Sequence, residues 1–350
     1  MALLKKKDTI GIDIGSSSIK LIELKSSKKG YQAVNFGIAP LPPEAIVDGA
    51  LMDSVAVVDA ISELVEMHKI RTKDVVTSVS GHSVIVKKIE IPVMTEEELA
   101  DSITFEAERY IPFDINDVNI DFEILRQNPE ETSQMEVLLV AVKKDMIDDY
   151  ISVINEAGLN LVVVDVDAFA LQNMFELNYG LGEDEVIALC NIGANVMNIN
   201  ILKDGTSAFV RDVAMGGNVI TEEIQKRLGV DYDEAEAMKV GAKVDKENEP
   251  TIKNIIETVS QSIVSEISKS LDFFSATFTE STINRLYLSG GCAKVTGLRA
   301  LLENKIGVPV EIINPFRNIG VSPKFYDPDY VEEIAPIMAV AVGLAIRRLE

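Results

Sequence analysis

The sequence contains few of the side chains on which metal and redox chemistry depend. It has two histidines, two cysteines and no tryptophan among 350 residues. Cys190 and Cys292 lie far apart and in no spacing typical of a metal site, which disfavours a structural zinc centre. We therefore expect two small buried thiols in a reducing compartment rather than a disulfide or a redox site.

Basic residues and long hydrophobic runs are scarce as well. Lys and Arg total 33 against 56 Asp and Glu, which gives a formal net charge of -23. Direct binding to nucleic acid or to an anionic membrane is disfavoured, because both are recognised by basic residues. The longest uncharged apolar run, 334–346, has 13 residues and is too short to span a bilayer, and the N-terminal MALLKKKD is not typical of a signal peptide. We therefore expect a cytoplasmic protein that reaches a membrane only through a partner.

The segment 8-DTIGIDIGSSSIKLIEL-24 has the alternation of two antiparallel strands around a tight turn. The turn consists of Gly15, Ser16, Ser17 and Ser18. Its consecutive backbone N–H groups and its serine hydroxyls suit phosphate oxygens, and Asp13 before it could hold Mg²⁺ through water. An ordinary hairpin with a serine-rich turn is the alternative for this segment alone.

The same pattern recurs 178 residues later, in 186-VIALCNIGANVMNINIL-202. Asn191 takes the place of Asp13, and the turn contains Gly193, Ala194 and Asn195. Repetition over half the chain predicts two domains of like topology, whose facing turns could clamp a polyphosphate from both sides. Asn191 brings no charge where a carboxylate might be expected, but its amide can still bond to metal-bound water; the alternative is a buried turn residue.

A third segment, 286-LYLSGGCAKVTGL-298, places Gly290 and Gly291 between an apolar strand and a helix. Ligands of α/β folds bind beyond the carboxyl ends of strands, and small glycines let a nucleoside approach the backbone. Alone this signal is weak, but as the third segment in this order it predicts a nucleotide site.

The three segments together resemble the actin-like ATPase superfamily of actin, FtsA, Hsp70 and sugar kinases. Its phosphate-1, phosphate-2 and adenosine motifs match residues 11–20, 189–198 and 287–298, and its connecting helices match 166–178 and 335–347. The resemblance implies an α/β, ribonuclease H-like, duplicated two-domain fold that binds ATP and Mg²⁺ between its halves. Because Asn191 replaces the phosphate-2 carboxylate common in this fold, we expect slow or no hydrolysis of the bound ATP.

Further segments narrow the resemblance to the PilM family of type IV pilus assembly proteins. They are 108-ERYIPFDINDVNIDFEIL-125, 165-DVDAFALQN-173 and 211-RDVAMGGNVITEEI-224. A compact unit at 87–163 is similar to subdomain 1C of FtsA-type members. The chain ends inside its predicted last helix, 332–349, without the C-terminal linker and membrane helix of FtsA, which also favours PilM.

The implied domain organisation alternates between the halves. It consists of subdomain 1A at 1–86, subdomain 1C at 87–163, a return to 1A through a connecting helix at 164–184, domain 2 at 185–330 with subdomain 2B at roughly 218–280, and a C-terminal helix on 1A at 331–350.

The resemblance also implies which residues bind the nucleotide. They are Asp13, Gly15, Ser16, Ser17, Ser18, Lys20, Asn191, Gly193, Ala194, Asn195, Gly216, Gly217, Asn218, Glu236, Lys239, Gly290, Gly291 and Lys294. Glu236 and Lys239 could instead be solvated residues of an acidic helix. Asp167 could orient the attacking water, with Asp165 as a second candidate, or it could cap the helix that begins at Ala168.

The function implied by the PilM resemblance is that of an ATP-binding scaffold in the inner-membrane platform of a type IV pilus or a related secretion machine. The implied partner is the N-terminal cytoplasmic peptide of a PilN-like single-span membrane protein, with cytoplasmic pilus motor ATPases as further candidates. The candidate groove residues are Tyr110, Ile111, Pro112 and Phe113, for which core packing is the alternative. A membrane-recruited, FtsA-like filament-forming ATPase and a small-molecule kinase of the same fold are the other functions to distinguish.

Overall fold

The computed structural model describes residues 9–28, 30–127, 133–182, 185–243, 246–278 and 281–347, so the predicted N-terminal segment 1–8 lies outside it. Its strands, in chain order, are β1 (Ile10–Ile14), β2 (Ser18–Ser27), β3 (Gly30–Pro40), β4 (Ile46–Val47), β5 (Ala50–Leu51), β6 (Asp74–Val79), β7 (Val84–Pro92), β8 (Val118–Gln127), β9 (Gln134–Lys143), β10 (Asn160–Val166), β11 (Ile187–Ile192), β12 (Met197–Lys203), β13 (Thr206–Val213), β14 (Arg285–Ser289), β15 (Val310–Ile312) and β16 (Ile319–Val321). Its helices are α1 (Ser54–Met67), α2 (Glu96–Ala107), α3 (Lys144–Glu156), α4 (Asp167–Tyr179), α5 (Asn218–Leu228), α6 (Tyr232–Lys239), α7 (Glu249–Thr277), α8 (Leu298–Ile306), α9 (Pro328–Ile334) and α10 (Ala339–Ile346). None of these helices has the length and apolar character needed to cross a bilayer.

The first half of the chain is built on a six-stranded sheet in the order β10-β6-β1-β2-β3-β16. The strands β1, β2 and β3 run antiparallel, as their alternation predicts, and β6 lies parallel to β1 on its other side. The register pairs Asp13 with Lys20 across the serine-rich turn. Both side chains therefore stand at the carboxyl end of β1, where the candidate site lies.

The second half repeats this order in a five-stranded sheet, β13-β12-β11-β14-β15. An antiparallel unit of β11, β12 and β13 is again followed by a strand, β14, parallel to the first strand of the unit. Asn191 pairs with Asn198 at the position where Asp13 pairs with Lys20 in the first sheet. The predicted duplicated α/β fold is confirmed by this repeated topology.

A close crossing of α4 and α10 lies between the two sheets. A Cβ added to Gly343 in α10 would overlap the carbonyl oxygen of Ala170 in α4 far inside van der Waals contact. Only glycine lets the two backbones approach to this distance. The crossing fixes how the C-terminal segment packs against the helix that begins at Asp167.

The sequence predicts one continuous last helix over 332–349, and this prediction is wrong. The structure has α9, a 3₁₀ turn at Ala335–Met338 and then α10, and the last residues of the predicted helix, 348 and 349, lie outside the described ranges. Pro336 has no backbone N–H and cannot continue an α-helix that starts before it. The break turns the buried segment 339–346 across the first sheet.

The unit inserted after β6 is a three-stranded sheet, β7-β9-β8, covered by α2. Helix α2 begins with a capping box of Thr95 and Glu98 and ends at Ala107. Helix α3, predicted in the same unit, instead joins the core of the first sheet, and β10 pairs with β6 of that sheet. We therefore propose residues 84–143 as the inserted unit in place of 87–163.

Candidate functional site

A cleft of about 1180 Å³ separates the two halves, and all three predicted motifs line it. Such a volume accommodates a ligand larger than a typical drug-sized molecule. The predicted residues that line it are Asp13, Gly15, Ser16, Ser17, Ser18, Lys20, Asp167, Asn191, Gly193, Ala194, Gly217, Asn218, Glu236, Lys239, Gly290, Gly291 and Lys294. Asn195 and Gly216 do not line the cleft. Asn195 lies in the turn between β11 and β12, and Gly216 lies just before α5.

The first turn is held rigidly from both sides. The Gly15 N–H donates to the Ser18 carbonyl oxygen at 3.2 Å, and the Lys20 ammonium lies 3.4 Å from the Asp13 carboxylate. A Cβ at Gly15 would stand 2.5 Å from Lys20 Nζ, so a side chain there would displace the lysine. The turn therefore presents its serines to the cleft with a buried positive charge directly behind them.

The second turn is tied to the start of α5 by backbone hydrogen bonds. The N–H groups of Gly217 and Asn218 donate to the carbonyl oxygens of Gly193 and Ala194, both at 2.9 Å. A Cβ at Gly216 would overlap the Ala194 carbonyl oxygen, so this glycine supports the turn from behind. Gly216 therefore lies next to the turn without lining the cleft, and its predicted contact with the nucleotide stays a prediction.

Asn195 makes a contact between the domains rather than lining the cleft. Its Nδ2 donates to the Ile46 carbonyl oxygen of the first domain at 3.4 Å, and its Oδ1 accepts from Asn218 Nδ2 at 2.6 Å. Asn195 lies in the turn between β11 and β12, as the sequence predicts, and its contact with the nucleotide stays a prediction. Both partner residues, Ile46 and Asn218, line the cleft, so Asn195 joins the two domains beside it.

Asn191 belongs to a polar network that crosses between the domains. Its amide accepts from Ser289 Oγ at 3.1 Å and donates to Asn198 Oδ1 at 3.0 Å. Asn198 donates in turn to Asp212, whose other oxygen accepts the Gly81 N–H of the first domain at 2.6 Å. Burial raises the pKa of Asp212, although these two hydrogen bonds oppose the rise. The Asn191 amide is thus held in place by protein groups.

Asp167 is the first residue of α4, and the alternative that it caps this helix is wrong. The N-cap is Val166, and no side chain caps the helix. The Asp167 carboxylate instead accepts from Ser78 Oγ at 2.6 Å. Desolvation, followed by the charge of Asp13, raises the pKa of Asp167 to about 7. A carboxyl group with such a pKa can exchange a proton near neutral pH.

Asp165, the second candidate, faces away from the cleft. Its buried carboxylate lies 3.4 Å from Arg347 Nε at the end of α10. Burial raises the pKa of Asp165, and the guanidinium partly offsets that rise. Asp165 therefore joins β10 to the C-terminal segment and is not part of the candidate site.

Lys239 is not a solvated helix residue, because its side chain is 8% exposed. Its ammonium lies 2.6 Å from the Glu236 carboxylate and donates to Thr221 Oγ1 at 3.0 Å. Lys294 is exposed and pairs with Glu333 of α9 at 3.0 Å. Each lysine is paired with a carboxylate that also lines the cleft, so an anionic ligand would have to share these ammonium groups with Glu236 and Glu333.

The comparisons with known proteins cover nearly the whole chain. A sequence model of the family described as type IV pilus assembly protein PilM matches residues 11–349. The chain belongs to the PilM family. A chain of a solved PilM–PilN type IV pilus biogenesis complex has 30% sequence identity and a TM-score of 0.87, over 99% of this chain and 100% of that one.

More distant relatives share the PilM fold. FtsA, the cell division protein of Escherichia coli strain K12, is 21% identical over an alignment that covers 97% of this chain and 90% of FtsA. The ethanolamine utilization protein EutJ from Carboxydothermus hydrogenoformans has 15% identity and a TM-score of 0.58, over 98% of this chain and 90% of EutJ. MreB5 of Spiroplasma citri, solved with AMPPNP, has 14% identity and a TM-score of 0.53, over 97% of this chain and 95% of MreB5. The fold is therefore that of the actin-like ATPases.

Tyr150 is a cleft residue of this PilM-family chain that sequence reasoning missed. It is buried on α3, and its hydroxyl donates to the Gly49 carbonyl oxygen at 3.3 Å. Burial, and then the charges of Asp167 and Asp13, raise its pKa. No local motif marks Tyr150, because it reaches the cleft only through the packing of α3 on the first sheet.

The two thiols of this PilM-family chain are buried, as expected. Burial raises the pKa of Cys292 to about 11 and that of Cys190 further. Thiols held in the protonated form are poor nucleophiles and poor metal ligands. Within the described residues, no group of three or more His, Cys, Asp or Glu side chains could hold a metal ion.

The two adjacent glycines of the third motif are expected to respond differently to substitution. Gly290 has a φ of +85°, and an added Cβ would overlap the Ile192 carbonyl oxygen, whereas nothing lies within 4 Å of a Cβ at Gly291. Gly290→Ala should lower the free energy of unfolding by about 2 kcal/mol, the usual range for forced overpacking. Gly291→Ala should change it by less than about 0.5 kcal/mol. Equal losses in urea unfolding of the two variants would contradict this difference.

The predicted partner residues of this PilM-family chain divide into two groups. Ile111 is 6% exposed and belongs to the core of the inserted unit, so core packing is the correct description for it. Tyr110 and Phe113 are half-buried, with Lys87 Nζ 5.3 Å from the first ring centroid and Lys143 Nζ 4.8 Å from the second. Pro112 is exposed between them. Three of the four candidates therefore remain accessible to a partner.

Proposed function

We propose that this PilM-family chain is a cytoplasmic, ATP-binding scaffold of a type IV pilus or related inner-membrane platform. In this proposal it binds the N-terminal cytoplasmic peptide of a PilN-like single-span membrane protein and reaches the membrane only through it. The observation that carries the proposal is the likeness, along nearly the entire chain, to a chain of the PilM–PilN complex.

The geometry of the cleft supports ATP as the ligand. The turns at Gly15 and Gly193 both line the cleft, and the serine hydroxyls of the first turn suit phosphate oxygens. Lys20 and Lys239 supply positive charge, and MreB5, which shares the fold, was solved with the ATP analogue AMPPNP. The sites named in the sequence analysis remain candidates for these contacts.

Mg²⁺ would accompany the nucleotide as an ion with few protein ligands. Asp13 and Asp167 are acidic residues in the cleft lining, and Mg²⁺ usually keeps several waters while it contacts phosphate oxygens. The donor set therefore fits Mg²⁺ held by Asp13 through water. When bound, the ion would neutralise phosphate charge, and Lys20 would keep the Asp13 carboxylate oriented toward it.

We place the partner groove at the rim of the inserted unit next to the first domain. Tyr110, Pro112 and Phe113 follow α2 and precede β8. The two rings pack partly against the core of the unit and each has a lysine ammonium near it, so their remaining surface and Pro112 would meet the partner. Aromatic side chains of this kind supply large apolar contact areas at interfaces. The rim thus suits a short peptide with apolar side chains.

Peptide binding with and without nucleotide tests the proposal. A labelled peptide from the cytoplasmic tail of a PilN-like protein should bind the full chain with Mg²⁺ and ATP, as measured by fluorescence anisotropy. Phe113→Ala should weaken binding at least about ten-fold, the effect typical of an interface anchor. Phe105→Ala is the matched control, because Phe105 is an exposed aromatic of the same unit, with Arg109 5.5 Å from its ring centroid.

Absence of peptide binding in every nucleotide state would refute the proposed partner. The same cleft could also serve a filament-forming ATPase or a small-molecule kinase, and peptide binding distinguishes our proposal from both. Equal affinities with ATP, with ADP and without nucleotide would show that the nucleotide does not regulate docking, since a ligand shifts an equilibrium only through differential affinity.

A further inference from the structure

The carboxylate of Asp212, near the end of β13, joins the second domain to the first. One of its oxygens accepts the Gly81 N–H of the first domain at 2.6 Å, and the other accepts from Asn198 Nδ2 at 2.9 Å. Gly81 is buried, so its N–H needs a partner in the folded protein. A hydrogen bond that a carboxylate accepts from a backbone N–H is stronger than one between neutral groups. Asp212 therefore holds the two halves together at this point.

Gly81 lies in the segment that leads from β6 of the first sheet to β7 of the inserted unit. Its carbonyl oxygen accepts the Val84 N–H at 3.0 Å. A Cβ at Gly81 would stand 3.1 Å from the Asp48 carbonyl oxygen, so this segment packs against the small β4–β5 hairpin. The same hairpin accepts the hydrogen bond from Asn195 of the second domain to the Ile46 carbonyl oxygen. The second domain thus bonds two neighbouring parts of the first.

The boundary that the Asp212–Gly81 hydrogen bond crosses is loosely packed. Strands β7 and β13 are edge strands of two different sheets. Between them, residues 84–86, Val210 and Asp212 line a cavity of about 170 Å³. Side chains that face a cavity lack partner atoms on one side, so packing holds this boundary less firmly than a filled one. The hydrogen bond is correspondingly a larger part of what keeps the halves together here.

The residues next to this hydrogen bond line the nucleotide cleft on both of its walls. In the second domain, Asn198 lines the cleft and accepts from Asn191 Nδ2, another lining group, at 3.0 Å. In the first domain, Ser80 lines the cleft directly before Gly81 in the sequence. Asp212 itself does not line the cleft. A ligand held between the walls would therefore lie beside the hydrogen bond without contacting the carboxylate that accepts it.

We propose that the Asp212–Gly81 hydrogen bond is a latch that keeps the cleft closed and slows the dissociation of the nucleotide. This inference rests on the proposed ATP binding and adds what controls release. The hydrogen bond is made when the halves are together and broken when they separate, and the nucleotide leaves through the opened cleft. Its loss should therefore speed dissociation and leave association, which begins from the open cleft, almost unchanged. Asp212 is thus a positioning residue that acts through Gly81.

Dissociation of a fluorescent nucleotide tests the latch. The full chain is loaded with N-methylanthraniloyl-ATP and Mg²⁺ and mixed in a stopped-flow instrument with excess unlabelled ATP. Asp212→Ala should raise the dissociation rate constant at least about ten-fold, the effect of losing one hydrogen bond to a charged group. The association rate constant should change by less than about two-fold. Equal dissociation rates in Asp212→Ala and the wild type would overturn the inference.

Ser207→Ala is the matched control in the same strand. Ser207 is buried, does not line the cleft, and donates through Oγ to Gln172 Oε1 of α4 at 2.7 Å. Because α4 leads along the chain into β11 of the second domain, this hydrogen bond need not break when the cleft opens. Ser207→Ala should lower the midpoint of thermal unfolding and leave nucleotide dissociation within about two-fold of the wild type. Dissociation as fast as in Asp212→Ala would show that any weakening of β13 has this effect, and the assignment to Asp212 would be wrong.

Asp212→Asn is the conservative variant, and it carries the test if Asp212→Ala does not fold. Its amide oxygen can accept the Gly81 N–H, but it lacks the charge, and its Nδ2 group would meet the donor of Asn198. The dissociation rate should therefore lie between those of the wild type and Asp212→Ala. A wild-type rate in Asp212→Asn, or a rate no slower than in Asp212→Ala, would contradict the role of the carboxylate.

The measurements separate this inference from the proposed function. If the wild-type chain does not bind ATP in calorimetry, both are wrong. If it binds ATP but releases it as fast as Asp212→Ala does, the latch alone is wrong. Hydrogen exchange gives a second measurement without a fluorescent label: ATP should slow exchange of the Gly81 amide in the wild type and should have no such effect in Asp212→Ala. An unchanged Gly81 exchange rate in the wild type with ATP would also overturn the latch.

Discussion

Asp167→Asn is expected to stabilise the unliganded protein at neutral pH and to lower any ATP turnover at least about 100-fold, the usual contribution of a positioned acid or base. Asparagine keeps an oxygen that can accept from Ser78 Oγ, so the local hydrogen bond survives. It removes the carboxylate that could take up a proton or orient water. ATP binding, measured by calorimetry, should be retained.

The pKa of Asp167 determines how the stability of this variant depends on pH. Desolvation and Asp13 raise that pKa from 3.8 to about 7, so the folded protein keeps a proton that the unfolded chain releases. The contribution of Asp167 to wild-type stability is fully present below about pH 4 and is lost as the pH rises through about 7. A difference of roughly 3 pKa units corresponds to at most about 4 kcal/mol, which water in the cleft reduces.

Urea unfolding at about pH 5 and about pH 8 checks this expectation. The advantage of Asp167→Asn over the wild type should be larger at the higher pH. Asp165→Asn is the matched control, since Asp165 is a buried aspartate two residues away that pairs with Arg347 outside the cleft. It should leave turnover unchanged. Full turnover in Asp167→Asn, or an equal stability gain at both pH values, would contradict the assignment.

Gly343→Ala is expected to destabilise the protein by about 3 kcal/mol, the upper part of the usual range for overpacking. Alanine is favoured over glycine in a helix interior by up to about 1 kcal/mol, so local propensity alone predicts the opposite sign. The added methyl group would overlap the carbonyl oxygen of Ala170, and helices α4 and α10 would have to separate. Separation would also move Asp167, the first residue of α4, so weaker ATP binding should accompany the loss.

The overlap at Gly343 is with a backbone atom, so a variant that shortens the opposing side chain can serve as the control. Shortening the opposing side chain in the double variant Gly343→Ala with Ala170→Gly should not restore stability, because the Ala170 carbonyl oxygen remains in place. Gly291→Ala, the same substitution where a Cβ meets open space, should be nearly neutral. Recovery of the wild-type unfolding midpoint in the double variant would show that the crossing is limited by side chains instead.

The strand–turn–strand segments and their repetition could be predicted from the sequence because they depend on neighbouring residues. Alternation around the Gly15 and Gly193 turns is readable in a window of fewer than 20 residues, and the structure confirms both pairings. The capping box at Thr95 is local in the same way. The break of the last helix was harder to predict from the sequence, because the buried run after Pro336 has helical composition throughout.

The sequence by itself therefore determined the duplicated fold, its order of motifs and the motif residues that line the cleft, which are fewer than half of the lining. Only the tertiary structure decided that Asp167 rather than Asp165 faces the cleft, that Gly290 and not Gly291 is sterically required, and that Tyr150 belongs to the lining. The physical reason is the separation along the sequence of the residues that interact. A strand or a turn is set by adjacent residues, whereas desolvation, backbone approach and hydrogen bonds between domains depend on groups brought together from distant parts of the chain.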